Sequence, residues 1–191
     1  MAIKIRPLVY LEEREDPTPV LPPYTLRLKY KDGVTPSFSK GTGVQVSSSP
    51  NIWDLTYENS GWSNLLSGHS DLLEVLGVNI SNLTGAYSMF NGCTSLTSVP
   101  LFDTSNVKYM YDMFNNCTSL TTVPLFDTSN AINMNRMFYN CSNVESGALA
   151  LYQQASSQTN PPTNHWAAFR NCGSNTTTGS AELAQIPSDW K

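Results

Sequence analysis

The sequence predicts an α/β chain folded as a short solenoid of 24-residue units, each a strand plus a short helix, with a small N-terminal β cap and a C-terminal helical cap. Three observations carry this reading. Met89 to Asp112 reads MFNGCTSLTSVPLFDTSNVKYMYD, and Met113 to Arg136 reads MFNNCTSLTTVPLFDTSNAINMNR, the same pattern one period later. Serine, threonine and asparagine supply 59 of the 191 residues, while 14% are charged and 40% hydrophobic, a polar but uncharged globular composition. The first 64 residues lack the period and differ in charge, because seven of the eleven basic residues lie in positions 1 to 40.

Residues 1 to 23 come first and read as an extended arm that serves as a tether. Pro17, Pro19, Pro22 and Pro23 favour extended backbone over a packed element. Ile3, Ile5, Leu8, Val9 and Tyr10 alternate or cluster as a strand suited to pairing with the sheet edge of another chain. The arm shows neither the apolar core of about 7 to 15 residues nor the small-residue cleavage site of a secretory signal, which argues against export by that route if Met1 is the natural start.

Residues 24 to 64 read as the small β cap. Tyr24 to Tyr30 alternates apolar with polar and runs into Asp32-Gly33, a strand entering a tight turn. Further strands fall around Val44 to Ser47 and Ile52 to Tyr57, with Trp53 and Trp62 as packing anchors.

Residues 65 to 191 hold the repeats. A degenerate copy runs from Leu65 to Ser88, a third full-phase copy starts at Met137, and partial copies appear at Phe169 to Cys172 and Leu183 to Pro187. Leu96-x-x-Val99-x-Leu101 and Leu120-x-x-Val123-x-Leu125 have the spacing of the strand in a leucine-rich repeat, so the predicted class is a short leucine-rich-repeat solenoid. Asp, Thr, Ser and Asn then open a stretch in which Val107, Met110, Met113 and Phe114 form one apolar face of a short helix. The segment GALALYQQAS reads as a longer helix.

Composition excludes several functions. A pI near 5.0 and a net charge of −4 exclude a general nucleic-acid binder, and no apolar run is long enough for membrane insertion. Cys93, Cys117 and Cys141 recur in phase, with Cys172 at the matching place in the last copy. Stacked positions lie roughly 4.8 Å apart with parallel side-chain vectors, whereas a disulfide needs facing Cβ atoms about 3.8 Å apart, so these read as buried free thiols. Paired C-x-x-C spacing is missing, so no metal site is predicted. Asp103 and Asp127 recur in phase and read as turn or helix caps rather than a calcium row. Neither His69 nor His165 sits in a recognisable nucleophile-and-base pattern, so no catalytic residue, enzyme activity or cofactor is predicted.

Candidate binding residues come from the strand. Alternation leaves Ser98, Pro100 and Phe102, then Thr122, Pro124 and Phe126, pointing away from the Leu/Val core. Such a strip could stack on sugars or meet a partner protein. The competing reading turns Phe102 inward behind the strand.

The units CTSLTSVPLFDTSNVKYMYDMF and NCTSLTTVPLFDTSN resemble the BspA-like leucine-rich repeats of bacterial surface proteins, in which N-C-x-S-L and D-x-S-N-V-x-x-M-x-x-M-F recur, over about residues 65 to 187. PPYTLRLKY, the segment Val75 to Gly77, GALALYQQAS and ELAQIPSDWK are together similar to short repeat proteins of tailed phages of gut bacteria. The first resemblance implies surface-exposed recognition or adhesion without catalysis, and the second implies attachment to a virion. The expected function is therefore a non-enzymatic, virion-associated surface protein. Its arm would bind other virion structural proteins, and its repeat face would meet a host surface glycan or protein. A bacterial cell-surface adhesin is the alternative, and self-association into a homo-oligomer is left open.

Overall fold

The computed structural model describes residues 21, 22, 24–57, 61–80 and 83–191. Ile3, Ile5, Leu8, Val9 and Tyr10, expected as an assembly arm, lie outside the described residues.

Four strands form one antiparallel sheet: β1 (Thr25–Tyr30), β2 (Thr42–Ser48), β3 (Asn51–Thr56) and β4 (Leu72–Asn79), in the order β2-β3-β1-β4. The central strand β1 forms because its sequence TLRLKY alternates. Leu26, Leu28 and Tyr30 enter the core, while Arg27 and Lys29 project to the other face. Register places those cations opposite acids. Arg27 lies across from Asp54 on β3 and Lys29 across from Glu74 on β4, with ion pairs of 2.8 Å and 2.6 Å. Two irregularities interrupt the β1–β4 ladder, and β4 meets the repeats through a single bridge from Glu74 to Ser98.

The expected leucine-rich-repeat solenoid is overturned. Regular secondary structure among the described residues consists of this sheet, α1 (Ala148–Ser156), α2 (Thr177–Gln185) and a 3-10 turn at Ser188–Trp190, so the fold is a small mixed α/β domain. Within residues 83–146 neither the expected strand nor the expected short helix forms in any unit. Prolines are one cause. Pro100 and Pro124 lack the N–H that a ladder needs, and pairing near them shrinks to single parallel bridges, Glu74 with Ser98 and Thr122 with Ser146. Left-handed backbone is the other. Each unit carries two residues with positive φ four positions apart (Asn64 and Gly68, Ser88 and Gly92, Asp112 and Asn116, Arg136 and Asn140, Ala167 and Asn171), and an α-helix tolerates neither.

The 24-residue period nevertheless organises packing. Backbone N–H groups of Ser88, Phe90 and Gly92 donate to carbonyls of Tyr111, Met113 and Asn115, and the pattern recurs one unit on. Single bridges link Gly61, Gly85, Tyr109, Asn133 and Asn164, spaced by 24 residues and finally by 31. Inside, Phe90, Phe114, Phe138 and Phe169 stack nearly parallel with centroids 5.1, 5.0 and 6.0 Å apart. Trp190 lies against the last ring. Val107, Met110, Met113 and Phe114 are fully buried as expected, but from consecutive turns rather than a helix.

The extra seven residues of the 31-residue step accommodate α1, whose sequence is the one read as a longer helix. It starts at Gly147, where φ is +96° and an added Cβ would lie 2.3 Å from the Val123 carbonyl oxygen, so only glycine fits. The Glu182 carboxylate of α2 accepts from the N–H groups of Gly147 and Leu149 (3.4 and 3.1 Å), supplying the cap that glycine lacks.

Candidate binding surfaces

The strip expected to face outward splits in two. Ser98 and Thr122 are exposed and Pro100 and Pro124 half-buried, whereas Phe126 is fully buried and Phe102 is buried except for an edge that lines an open groove. Leu101 and Leu125, assigned to the core by alternation, are 65% and 53% exposed instead. Alternation requires an extended strand, and the chain beyond Val99 is irregular, so parity is lost at the proline. The rings then go where they bury most area. Phe126 lies 4.9 Å from Phe102 and 5.9 Å from Phe114, centroid to centroid.

Leu101 and Leu125 flank an open groove of about 600 Å³, bordered also by Asp103, Asp127 and Gln154. Its two carboxylates are engaged in their own turns. Asp103 accepts from the Ser105 N–H at 2.9 Å and its hydroxyl at 2.6 Å, which holds the carboxyl below the usual range, and Asp127 accepts from the Ser129 N–H at 2.8 Å. This surface is apolar with an acidic border.

The four cysteines are free and buried. Cys93, Cys117 and Cys141 each donate their thiol to a carbonyl of the preceding unit, on Leu66, Phe90 and Phe114, at 3.1, 3.1 and 3.0 Å. Burial pushes these thiols up, Cys93 to about 12, so they remain protonated and unreactive. His69, one period before Cys93, carries the Tyr30 hydroxyl at 2.6 Å from its Nδ1 and Phe38 stacked on its ring. Desolvation lowers its pKa, which favours the neutral imidazole in its hydrogen bond with the phenol. At the other end His165 stacks on Trp190 at 4.1 Å. Both histidines are packing groups where the repeats meet the sheet and the C-terminal turn.

A second surface was missed by sequence reasoning. The segments 61–63, 85–87 and 109–111 run beside one another, each sending its middle residue (Trp62, Ala86, Met110) inward, while Gly85, Tyr87, Tyr109 and Tyr111 reach the surface and Ser63 is buried but for the part that borders a concavity. Tyr87 and Tyr111 stack at 4.8 Å and 5°. Before Tyr87 the column holds Ser63, and before Tyr109 it holds Gly85 and Gly61, so among the described residues no ring of the preceding units stacks on these two tyrosines. The result is a concavity of about 480 Å³ whose border includes Tyr87, Tyr109, Ser63, Asn106 and two cations, Lys40 and Lys108. Lys40 arrives from the β1–β2 loop and is fixed by donating to the Ser63 carbonyl at 3.1 Å. No acid borders this concavity among the described residues. The available signal was the 24-residue spacing of Tyr87 and Tyr111; nothing in the sequence places Lys40 beside Lys108.

Residues 63–175, more than half of the chain, match the family described as Mycoplasma protein of unknown function, DUF285. The chain belongs to this family. The DUF285 match spans the stacked units and fits the BspA-like resemblance loosely. No match was found among curated proteins, and none among solved structures. Both open surfaces lie within the DUF285 region apart from Lys40 and Gly61, which precede it.

Proposed function

We propose that this DUF285 protein is a non-enzymatic recognition module that binds surface glycan or protein through its repeat region, carried on a virion and tethered by residues 1 to 23. The observation that carries the recognition reading is the pair of open surfaces on neighbouring units, one apolar and acidic, the other aromatic and basic. They offer the mixture of flat apolar area and oriented polar groups that binding sites use. Virion attachment is supported by the sequence resemblance and by the apolar residues Ile3, Ile5, Leu8, Val9 and Tyr10, which alternate or cluster as in a pairing strand. Anchorage on a bacterial envelope is the alternative placement of the same module.

The test is retention of the fluorescently labelled full chain on a panel of intact bacterial cells, before and after periodate oxidation of surface sugars. Saturable retention lost on oxidation is expected for glycan, and saturable retention lost on protease treatment for protein. No saturable retention on any cell sinks the recognition reading. Immunogold labelling of particles and envelopes decides the carrier. Deletion of residues 1 to 23 is expected to release the chain from particles while its retention on cells persists.

A further inference from the structure

The concavity beside Tyr87 and Tyr109 is bordered by two lysines and by no acid among the described residues. The chain is acidic overall, with a net charge of −4, and from residue 41 onward it holds only four basic residues, Lys108, Arg136, Arg170 and Lys191. Arg136 is paired with Asp112 at 3.1 Å. Lys108, by contrast, shares its concavity with a second cation, Lys40, and with no acid among the described residues. An ammonium has three N–H donors, and Lys40 directs one at the Ser63 carbonyl, so the others are available to a ligand. Two cations bordering one concavity in an acidic chain favour an incoming anion.

The remaining border restricts what that anion is. The tyrosine faces above Gly85 and Ser63 form an apolar wall of the kind that packs on the C–H face of a pyranose ring, and the Asn106 amide and Ser63 hydroxyl suit its hydroxyls. About 480 Å³ suits one or two sugar rings and is far too small for a folded partner. We infer that this concavity binds a carboxylate-bearing sugar, its ring on Tyr87 and Tyr109 and its carboxylate between Lys40 and Lys108. The inference rests on the recognition reading and narrows it to acidic glycan.

Two variants of the full chain test it. Lys108→Gln removes one cation. Gly85→Asn fills the concavity with the residue that the same column carries at Asn133 and Asn164, and the added Cβ meets only the Ser63 hydroxyl, at 3.2 Å, a close contact that a turn of the serine side chain relieves. Calorimetric titrations use trigalacturonate, its fully methyl-esterified form, sialyllactose and lactose as probes, with circular dichroism checking that each variant melts as the parent does. At least one acid should bind, with its uncharged counterpart weaker by about tenfold or more, the loss expected when a charge-assisted contact becomes neutral. Lys108→Gln should weaken the acid by a similar factor, and Gly85→Asn should abolish it. Equal affinity for acid and uncharged counterpart, or an acid that binds both variants as it binds the parent, overturns the inference. So does failure of both acids to bind. In each case saturable retention on cells leaves the broader recognition reading standing, and its absence removes both.

Discussion

The sheet and the stacked units solve the same problem with different means. In the sheet, order comes from the backbone. Continuous ladders fix register, and side chains decorate it with cross-strand ion pairs and with Asn51, whose amide donates to the carbonyls of Lys31 and Val34 and accepts from Gln45 and the Trp53 indole. In residues 83–146 the backbone is made of turns and single bridges, and register comes from side chains that meet their own kind one period on, phenylalanine on phenylalanine and tyrosine on tyrosine. A ladder specifies structure through groups every residue has. A stack specifies it through the identity of a few residues, so the cost of substitution is concentrated there.

The sharpest way to break the contrast is Phe114→Ala. That ring touches Phe90, Phe138 and Phe126, and its loss leaves a cavity that rigid turns cannot close. Urea unfolding should show a loss of about 3 to 5 kcal/mol. Asn51→Ala is the sheet's counterpart and should cost about 1 to 2 kcal/mol, because two partly buried carbonyls and an indole N–H lose partners while the ladder survives. If it costs as much as Phe114→Ala, the contrast fails.

The junction between the two regions is acid-sensitive. Burial lowers the pKa of His69 below its ordinary 6.5, so the unfolded chain takes up a proton before the folded one. Stability from this group is whole above 6.5 and is lost as the pH falls through the lowered folded value, with a slope of at most about 1.4 kcal/mol per pH unit. Denaturation at a series of pH values should show that slope in the parent and a flatter profile in His69→Gln. The smallest effect, and the only gain, is expected from Ser88→Gly. Ser88 has φ of +53° where the next left-handed position in its unit is already Gly92, so glycine should add about 0.5 to 1 kcal/mol by relieving left-handed strain.

Legibility in the sequence followed the same division. Strands at Thr25–Tyr30, Thr42–Ser48 and Asn51–Thr56 were readable because alternation and turn residues act locally, whereas β4 was hidden inside a segment read as a degenerate repeat. The candidate site was less legible. The outward row of Phe102 and Phe126 does not form because a proline ends the alternation that the reading assumed, and the surface holding Lys40 needs a loop from outside the repeats.

By itself the sequence determined the period, the buried thiol row and which residues meet across units, because identical side chains at a fixed spacing are a property of the chain. Tertiary structure decided the conformation inside each unit, mixed turns in place of strand and helix, because left-handed backbone at Ser88, Asp112 and Arg136 is stable only when a neighbouring unit accepts the hydrogen bonds that a helix would have made. It also decided which faces stay open. An aromatic ring is uncovered only where the unit stacked before it offers serine or glycine, and that depends on which units become neighbours in space.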